Sequence, residues 1–196
     1  SEEILINITP MESRVAVVEN GVLQEVHVER TQKRGIVGNI YKGKIVRVLP
    51  GMQAAFVDIG LDRAAFIHAS EISLREGSSV ESISALVHEG QSLVVQVTKD
   101  PIGSKGARLT TQLSIPSRYL VYMPRTAHVG ISLKIEDEAE RERLKQVVSD
   151  CVAKEGIKEA GGFILRTAAE GAGADEILMD IRYLRRLWDQ INEQIK

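Results

Sequence analysis

Cysteine is almost absent from this chain, since Cys151 is the single one among 196 residues. One thiol excludes an internal disulfide framework and any zinc site that needs several cysteines. An excess of charge of one sign is also missing: the formal net charge of −2 excludes a polycation, so charge alone indicates no nucleic-acid partner. No apolar run is long enough to cross a bilayer, and the start, Ser1 to Glu3, lacks the features of a signal peptide. We therefore expect a cytoplasmic protein without a membrane segment.

Aromatic residues make up only 4% of the sequence, yet two of its three phenylalanines, Phe56 and Phe66, flank one short turn. The segments "AAFVDIG" and "RAAFIH" both alternate as strands do, and Gly60-Leu61-Asp62 predicts a turn between them. A hairpin centred on Leu61 would place Phe56 opposite Phe66, on the more polar face of both strands. Two interpretations stay open: the rings form a stacking surface for unpaired bases, or they complete the core of a small barrel.

The pattern of elements along the chain predicts an α+β fold. Residues 3–28 alternate in bursts typical of β-hairpins, and "TQKRGIVGN" is a candidate domain boundary. Residues 40–112 contain about five strand-like segments, which favour a small closed barrel of the OB-fold type. From residue 113 onward, short strands alternate with two amphipathic helices, one over 137–154 and one that reaches Lys196. The last helix has no stop signal, so we expect the natural protein to continue beyond it.

Basic residues are concentrated locally in two places. Between Arg30 and Pro50 there is no carboxylate, while a glycine-rich turn, "DPIGSKGARLT", carries Lys105 and Arg108. A local basic stripe can follow a phosphate backbone even in an acidic protein, but it can equally be the solvated face of a strand pair. The cations of the first stretch are Arg30, Lys33, Arg34, Lys42, Lys44 and Arg47.

The segment "FILRTAAEGAGADE", residues 163–176, ends an apolar strand with Arg166 and Thr167 before a glycine-containing loop and a helix start. A guanidinium, a hydroxyl and free backbone N–H groups can together receive a phosphate. Strand alternation would point the two side chains to opposite faces, so they converge only if the backbone turns there. The alternative is a surface arginine beside a turn threonine. The glycine spacing fits neither a Walker motif nor a dinucleotide-binding motif.

No catalytic constellation is visible in the sequence. Asp58, Asp62 and Glu71 are close enough along the chain to hold a metal in principle, but their turn and loop positions are typical of solvated carboxylates. The histidines have no metal-ligand spacing and no nearby nucleophile; they are His27, His68, His88 and His128. We therefore expect neither a catalytic residue nor a metal site in this chain.

Three stretches carry a resemblance to a known family: "GNIYKGKIVRVLPGMQAAFVDIGLDRAAFIHASEI", "KDPIGSKGARLTTQLSIPSRYLVYMP" and "GGFILRTAAEG". They resemble the ribonuclease E/G family, and the resemblance extends from Ile4 to the end of the chain. It implies that residues 1–36 are the first segment of a ribonuclease H-like subdomain and that residues 37–112 are an inserted S1-type OB-fold RNA-binding domain. Residues 113–196 would form an α/β subdomain that senses the RNA 5′ end.

The resemblance also implies which residues function. The family's RNA contacts come from two aromatic and two basic positions, which match Phe56, Phe66, Lys105 and Lys134. Lys134 belongs to a basic pair after "IS" in the family, and Leu133 replaces the other member here. The family positions that bind the 5′-monophosphate of the RNA match Arg166, Thr167 and, through its backbone, Val121.

The same resemblance implies a longer protein. The family's magnesium-binding aspartates, and the paired cysteines that link its subunits through zinc, would lie beyond residue 196. The full protein would be a homo-oligomeric, single-strand-specific RNA endonuclease acting on ribosomal RNA precursors and messenger RNA. This chain would be its substrate-binding and 5′-monophosphate-sensing half, inactive alone. Two alternatives are a stand-alone OB-fold RNA-binding protein and a small metalloenzyme built around Asp58.

Overall fold

The computed structural model describes residues 1–72, 82–157 and 161–196, which divide into two compact units, 1–36 and 37–196. The first unit is a three-stranded antiparallel sheet of β1 (Glu2–Ile8), β2 (Glu12–Glu19) and β3 (Val22–Arg30), with β2 in the centre. This confirms the predicted hairpins. The turn between β2 and β3 is made by Asn20 and Gly21, whose φ angles of 50° and 79° suit a tight hairpin turn.

The sheet of the first unit leaves much apolar surface uncovered. Ile4, Ile6 and Ile8 are 63, 65 and 74% exposed, and Leu5, which alternates with them, is 55% exposed. Apolar side chains therefore lie in solvent on both faces of β1. A small sheet that buries so little of its apolar surface has little to stabilise it alone.

The second unit begins with a closed barrel of five strands in the order β4-β5-β6-β8-β7. The strands are β4 (Ile40–Leu49), β5 (Ala54–Asp58), β6 (Ala65–His68), β7 (Ser92–Lys99) and β8 (Arg108–Thr110). β6 and β8 are parallel, whereas the other neighbouring strands are antiparallel. The prediction of a small closed barrel is confirmed. Its interior holds side chains that are at most 1% exposed, among them Ile45, Val57, Ala65, Ile67, Val95, Val97 and Leu109. A one-turn helix, α1 (Ile83–Leu86), lies between β6 and β7.

The rest of the second unit is an α/β layer. Its sheet has the order β11-β12-β10-β9, with β11 parallel to β12. The strands are β9 (Ile115–Pro116), β10 (Leu120–Met123), β11 (Val129–Ile131) and β12 (Gly162–Leu165), and the helices are α2 (Glu138–Lys154) and α3 (Ala174–Ile195). β11 ends at Ile131, because the chain then turns and the Ile135 N–H donates to the Ser132 carbonyl at 3.1 Å.

Both predicted helices of this layer are confirmed, and both bury one apolar stripe. Asp137 caps α2 by accepting the Ala139 N–H at 3.0 Å. The buried stripes meet in one core with the sheet, where the fully enclosed helical side chains are Leu144, Val148, Ile177, Ile181 and Leu184. This packing fixes α3 against the strands that carry the candidate site.

Candidate nucleic-acid interface

Phe56 and Phe66 lie directly opposite each other in the β5–β6 pair, as the alternation predicts. Val57, beside Phe56 in sequence, is fully buried, whereas Phe56 is 38% exposed and Phe66 is half-buried. The predicted turn is present: Gly60 has a φ of 81° and donates its N–H to the Asp58 carboxylate at 2.8 Å. Both rings therefore lie on the outer wall of the barrel, opposite to the side chains that fill its core.

The strand register extends this pair into a row across the barrel wall. Arg47 on β4 is opposite Phe56, and Arg108 on β8 is opposite Phe66. Lys99 on β7 follows opposite Arg108. We call Lys99, Arg108, Phe66, Phe56 and Arg47 the outer row. Aromatic rings stack on unpaired bases and neighbouring cations neutralise phosphates, so the outer row has the chemistry of a single-strand binding surface.

Lys105 is exposed on the loop between β7 and β8. Two backbone hydrogen bonds between Ile102 and Lys105, of 2.9 and 3.1 Å, close this loop into a tight turn. The Arg63 guanidinium donates to the Gly103 carbonyl and so joins the turn to the loop that follows β5. Lys105 thus belongs to the same end of the barrel as the turn that pairs the two phenylalanines.

The first basic stretch is divided between the two units. Its early members lie in the first unit, where Arg30 pairs with Glu12 and Arg34 with Glu29, each at 3.7 Å. In the second unit, the Lys42 ammonium donates to the Ile195 carbonyl at the end of α3, at 3.0 Å. Arg47 is the member of the stretch that joins the outer row.

A second candidate site lies where β12 ends. A 3-10 turn, Thr167–Ala169, follows Leu165 almost at once, so the backbone turns where convergence of the two side chains requires it. Arg166 and Thr167 line one cavity of about 330 Å³ together with Ser132. The hydroxyl oxygens of Thr167 and Ser132 are 3.1 Å apart. Ser132 is 35 residues away in sequence, and no sequence signal singled it out.

Arg166 is held at two points. Its backbone N–H donates to the Tyr119 carbonyl at 2.8 Å, and its Nη1 donates to the Ser117 carbonyl at 2.5 Å. A guanidinium has five N–H donors, so one bond to Ser117 leaves others that can meet an anion. With the Thr167 and Ser132 hydroxyls, the cavity presents one permanent positive charge and two hydroxyl groups, which suits a phosphate.

Lys134, predicted as an RNA contact, and Val121, predicted for the phosphate site, lie next to residues that line the cavity. The Lys134 side chain is exposed, and its backbone N–H donates to the Ser132 hydroxyl at 3.3 Å. Leu133 is 89% exposed and offers no charge. Val121 lies in the inner strand β10, opposite Ile164 of the cavity wall.

The loop after the cavity is fastened by α2. Glu140 accepts the Gly171 N–H at 2.8 Å and two bonds from the Arg143 guanidinium, each at 2.6 Å. Arg143 also donates to the Ala172 carbonyl at 3.0 Å. The hydrogen bonds from Arg143, and secondly that from Gly171, lower the pKa of Glu140 to about 2. The carboxylate therefore stays ionised at neutral pH and keeps this loop in place.

Asp58, Asp62 and Glu71, the carboxylates considered as possible metal ligands, do not form a metal site in the structure. Asp58 accepts from the Gly60 N–H, and Glu71 pairs with Arg108 at 3.8 Å. Within 1–72, 82–157 and 161–196, no group of three or more histidines, cysteines, aspartates and glutamates is arranged to hold a metal ion. In the same described segments, no helix is both long and apolar enough to cross a membrane.

Comparison with known proteins identifies the family. Residues 114–196 match the Ribonuclease E/G family, and residues 35–100 match the S1 RNA binding domain. Ribonuclease G of Escherichia coli K12 is 57% identical over 99% of this chain, and that of Haemophilus influenzae is 54% identical over 98%. The chain belongs to the ribonuclease E/G family. Ribonuclease E of Haemophilus influenzae, another member of the family, is 38% identical over 98% of the chain.

Membership of the ribonuclease E/G family confirms the resemblance seen in the sequence. The S1 match falls on the closed barrel, so the predicted OB-fold RNA-binding domain is also confirmed. The relatives carry the names of ribonucleases. The chain spans 40% of the length of these ribonuclease G sequences and 21% of the ribonuclease E sequence.

Proposed function

We propose that this chain is the substrate-binding and 5′-monophosphate-sensing part of an endoribonuclease that cuts single-stranded RNA. Residues 37–112 would bind the strand and residues 113–196 would recognise its 5′ end. The observation that carries the proposal is the shared cavity of Arg166, Thr167 and Ser132, where a guanidinium and two hydroxyls converge. The ribosomal RNA precursors and messenger RNA expected from the sequence are the proposed substrates, in the cytoplasm.

The outer row supports binding of unpaired bases. Phe56 and Phe66 share one face of the barrel wall, and cations stand on both sides of them. Stacking on aromatic rings tolerates any base sequence, while a double helix keeps its bases out of reach. The outer row therefore favours single strands over duplexes. Lys105 and Lys134, both exposed, are proposed to contact RNA phosphates.

The cavity supports recognition of a terminal phosphate. A 5′-monophosphate has a second ionisation near pH 6 and is therefore close to dianionic at pH 7. Arg166 can donate two parallel N–H bonds to it, and Thr167 can add its hydroxyl. Charge-assisted hydrogen bonds of this kind contribute about 1.5–3 kcal/mol, or roughly ten- to a hundredfold in affinity. Val121, on the strand beside the cavity, is proposed to contact the first nucleotide through its backbone.

The direct test compares two oligonucleotides that differ only at the 5′ end, monophosphate against hydroxyl, by fluorescence anisotropy. The wild-type chain is expected to prefer the monophosphate, and less so below about pH 6, where the phosphate takes up a proton. Arg166→Gln and Thr167→Val should remove the preference and leave hydroxyl-ended binding nearly unchanged. Arg166→Lys keeps the positive charge without the planar guanidinium, so it should retain only part of the preference for the monophosphate. Arg186→Gln, which removes an exposed arginine of α3, is the control. Equal affinity of the wild type for both ends would refute the proposal.

The first unit is proposed to be the first segment of a ribonuclease H-like subdomain that later residues of the full protein complete. Its support is the exposed apolar sheet, in which Ile4, Ile6 and Ile8 are each more than 60% exposed. Soluble proteins rarely leave contiguous apolar surface of this kind uncovered. In the same full protein, Mg²⁺ would serve catalysis and Zn²⁺ would link subunits of a homo-oligomer.

The chain itself is proposed to bind RNA without cutting it. Purified chain, incubated with 5′-monophosphorylated RNA and Mg²⁺, should leave the RNA intact. Cleavage that Asp58→Asn abolishes would instead support the metalloenzyme alternative.

A further inference from the structure

Helix α3 fastens the turn before β10 through one carboxylate oxygen. Oδ2 of Asp180 accepts the Ser117 hydroxyl at 2.6 Å and the Tyr119 backbone N–H at 2.8 Å. One helical turn earlier, Glu176 accepts the Tyr119 hydroxyl at 2.7 Å. The hydrogen bond to Glu176 is the main cause that raises the pKa of Tyr119. Two side chains of one helix thus hold three polar groups of Ser117 and Tyr119.

The same turn holds Arg166. The carbonyl of Ser117 accepts from the guanidinium, and the carbonyl of Tyr119 accepts from the backbone N–H of Arg166. Each residue that Arg166 uses as an acceptor is therefore itself bound by Asp180. The chain of contacts runs from α3, through the turn, to the side chain that faces the cavity.

We propose that Asp180 is a positioning residue that sets the orientation of Arg166 and thereby the preference for a 5′-phosphate. This inference rests on the proposed function of the cavity. Asp180 does not line the cavity, so it acts through the turn and not on the phosphate. Without its carboxylate the Ser117 and Tyr119 donors lose a shared acceptor, and the two carbonyls that hold Arg166 lose their fixed place.

The local fold has enough other support for the effect to be separable from unfolding. Ser117 also donates its backbone N–H to the Leu120 carbonyl at 2.8 Å, so the turn keeps its own closure; once Asp180 is removed, the Ser117 hydroxyl can donate to the same carbonyl, which is 3.1 Å away. Asp180 is half-buried at the edge of the core. Glu176 is a poorer choice for a test, because its carboxylate also accepts the Gly173 N–H at 2.9 Å and caps α3.

The experiment measures the affinity of Asp180→Ala for the monophosphate and hydroxyl oligonucleotides. The preference for the monophosphate should fall about three- to tenfold, while hydroxyl-ended affinity stays within about twofold. Asp180→Asn keeps an amide oxygen that can accept, so it should retain part of the preference. Ser117→Ala removes one of the two hydrogen bonds to Asp180, so the preference for the monophosphate should fall less than in Asp180→Ala. This variant also allows the test if Asp180→Ala does not fold. Asp189→Ala, on the exposed side of the same helix, should match the wild type.

A double-mutant cycle with Arg166→Gln separates positioning from a general structural role. If Asp180 acts through Arg166, Asp180→Ala should have no further effect on the preference once Arg166→Gln is present. A structural role would weaken binding of both oligonucleotides and lower the melting temperature in either background. Retention of the wild-type preference by Asp180→Ala, when Arg166→Gln has lost it, would overturn this inference and leave the proposed function standing. A wild-type chain that shows no preference would overturn both.

Discussion

The outer row gives a prediction in which three phenylalanines of one chain serve as test and control. Phe56 is 38% exposed on the barrel wall, so Phe56→Ala shortens a surface side chain and leaves no closed cavity. The stability cost should be about 1 kcal/mol or less, the range of a cross-strand aromatic pair. Loss of a stacking partner should weaken RNA binding by about 1–3 kcal/mol, or roughly five- to a hundredfold. Phe66→Ala should behave in the same way, with a somewhat larger stability cost because Phe66 is half-buried.

Phe163 is the control, because it is 1% exposed and stacks on Tyr122 in the core of the α/β layer, with ring centroids 5.1 Å apart. Phe163→Ala should cost about 3–5 kcal/mol of stability, as truncation of a buried aromatic does. Binding is measured by anisotropy with a 5′-hydroxyl oligonucleotide, which offers no terminal phosphate to the cavity of Arg166, and stability is measured by urea titration.

The two variants of the outer row should therefore lose affinity and keep stability, and Phe163→Ala should do the reverse at temperatures where it remains folded. A Phe66→Ala protein that loses as much stability as Phe163→Ala, yet binds RNA normally when folded, would show that the outward face of the barrel is not the stacking surface.

Three further predictions concern charge, close packing and pH. Lys105→Ala should lower the log–log salt slope of RNA binding by about 0.7, the value for one lost single-strand phosphate contact, and an unchanged slope would exclude this contact. Gly106→Ala should destabilise the barrel, because a Cβ there would lie 1.9 Å from the backbone oxygen of Ala64. Gly51→Ala is the control, since the space around Gly51 is open, and equal melting temperatures of the two variants would contradict the prediction. The pKa of Glu140 in the folded chain, about 2, lies below its ordinary 4.5, mainly through Arg143. The ionised Glu140 carboxylate therefore stabilises the folded chain above about pH 4.5, and this contribution is lost as the pH falls towards about 2. In that pH range, the free energy of unfolding from urea titrations should depend less on pH for Glu140→Gln than for the wild type, and an equal dependence would contradict this.

Local patterns predicted the parts of the fold that depend on neighbours in sequence. The alternation around Phe56 and Phe66 has a period of two, and the turn between them is short, so register and face both followed from the sequence. The helix over 137–154 followed from its apolar stripe in the same way. The end of β11 at Ile131 could not be predicted from the sequence, because the turn that ends the strand is closed by a backbone hydrogen bond and has no glycine or proline.

Contacts between distant segments could not be predicted in this way. Lys99 reaches the outer row through a register shift between Val97 and Lys99, where simple alternation fails. Ser132 meets Thr167 only because β11 pairs with β12. Asp180 lies 63 residues from Ser117 in sequence, and nothing in its surroundings on α3 distinguishes it from an ordinary exposed aspartate.

The two candidate sites differ in the property of RNA that each can detect. In the proposed function, stacking on the outer row would depend on unpaired bases and not on the end of the strand, whereas binding in the cavity of Arg166 would depend on terminal charge and not on base sequence. Both sites belong to one compact unit, 37–196. If both sites bind RNA as proposed, a strand bound at one site would be held at a raised local concentration near the other, and the two affinities would multiply when a single strand reaches both. Selection for strands that are both unpaired and 5′-monophosphorylated then needs no contact that reads a base edge.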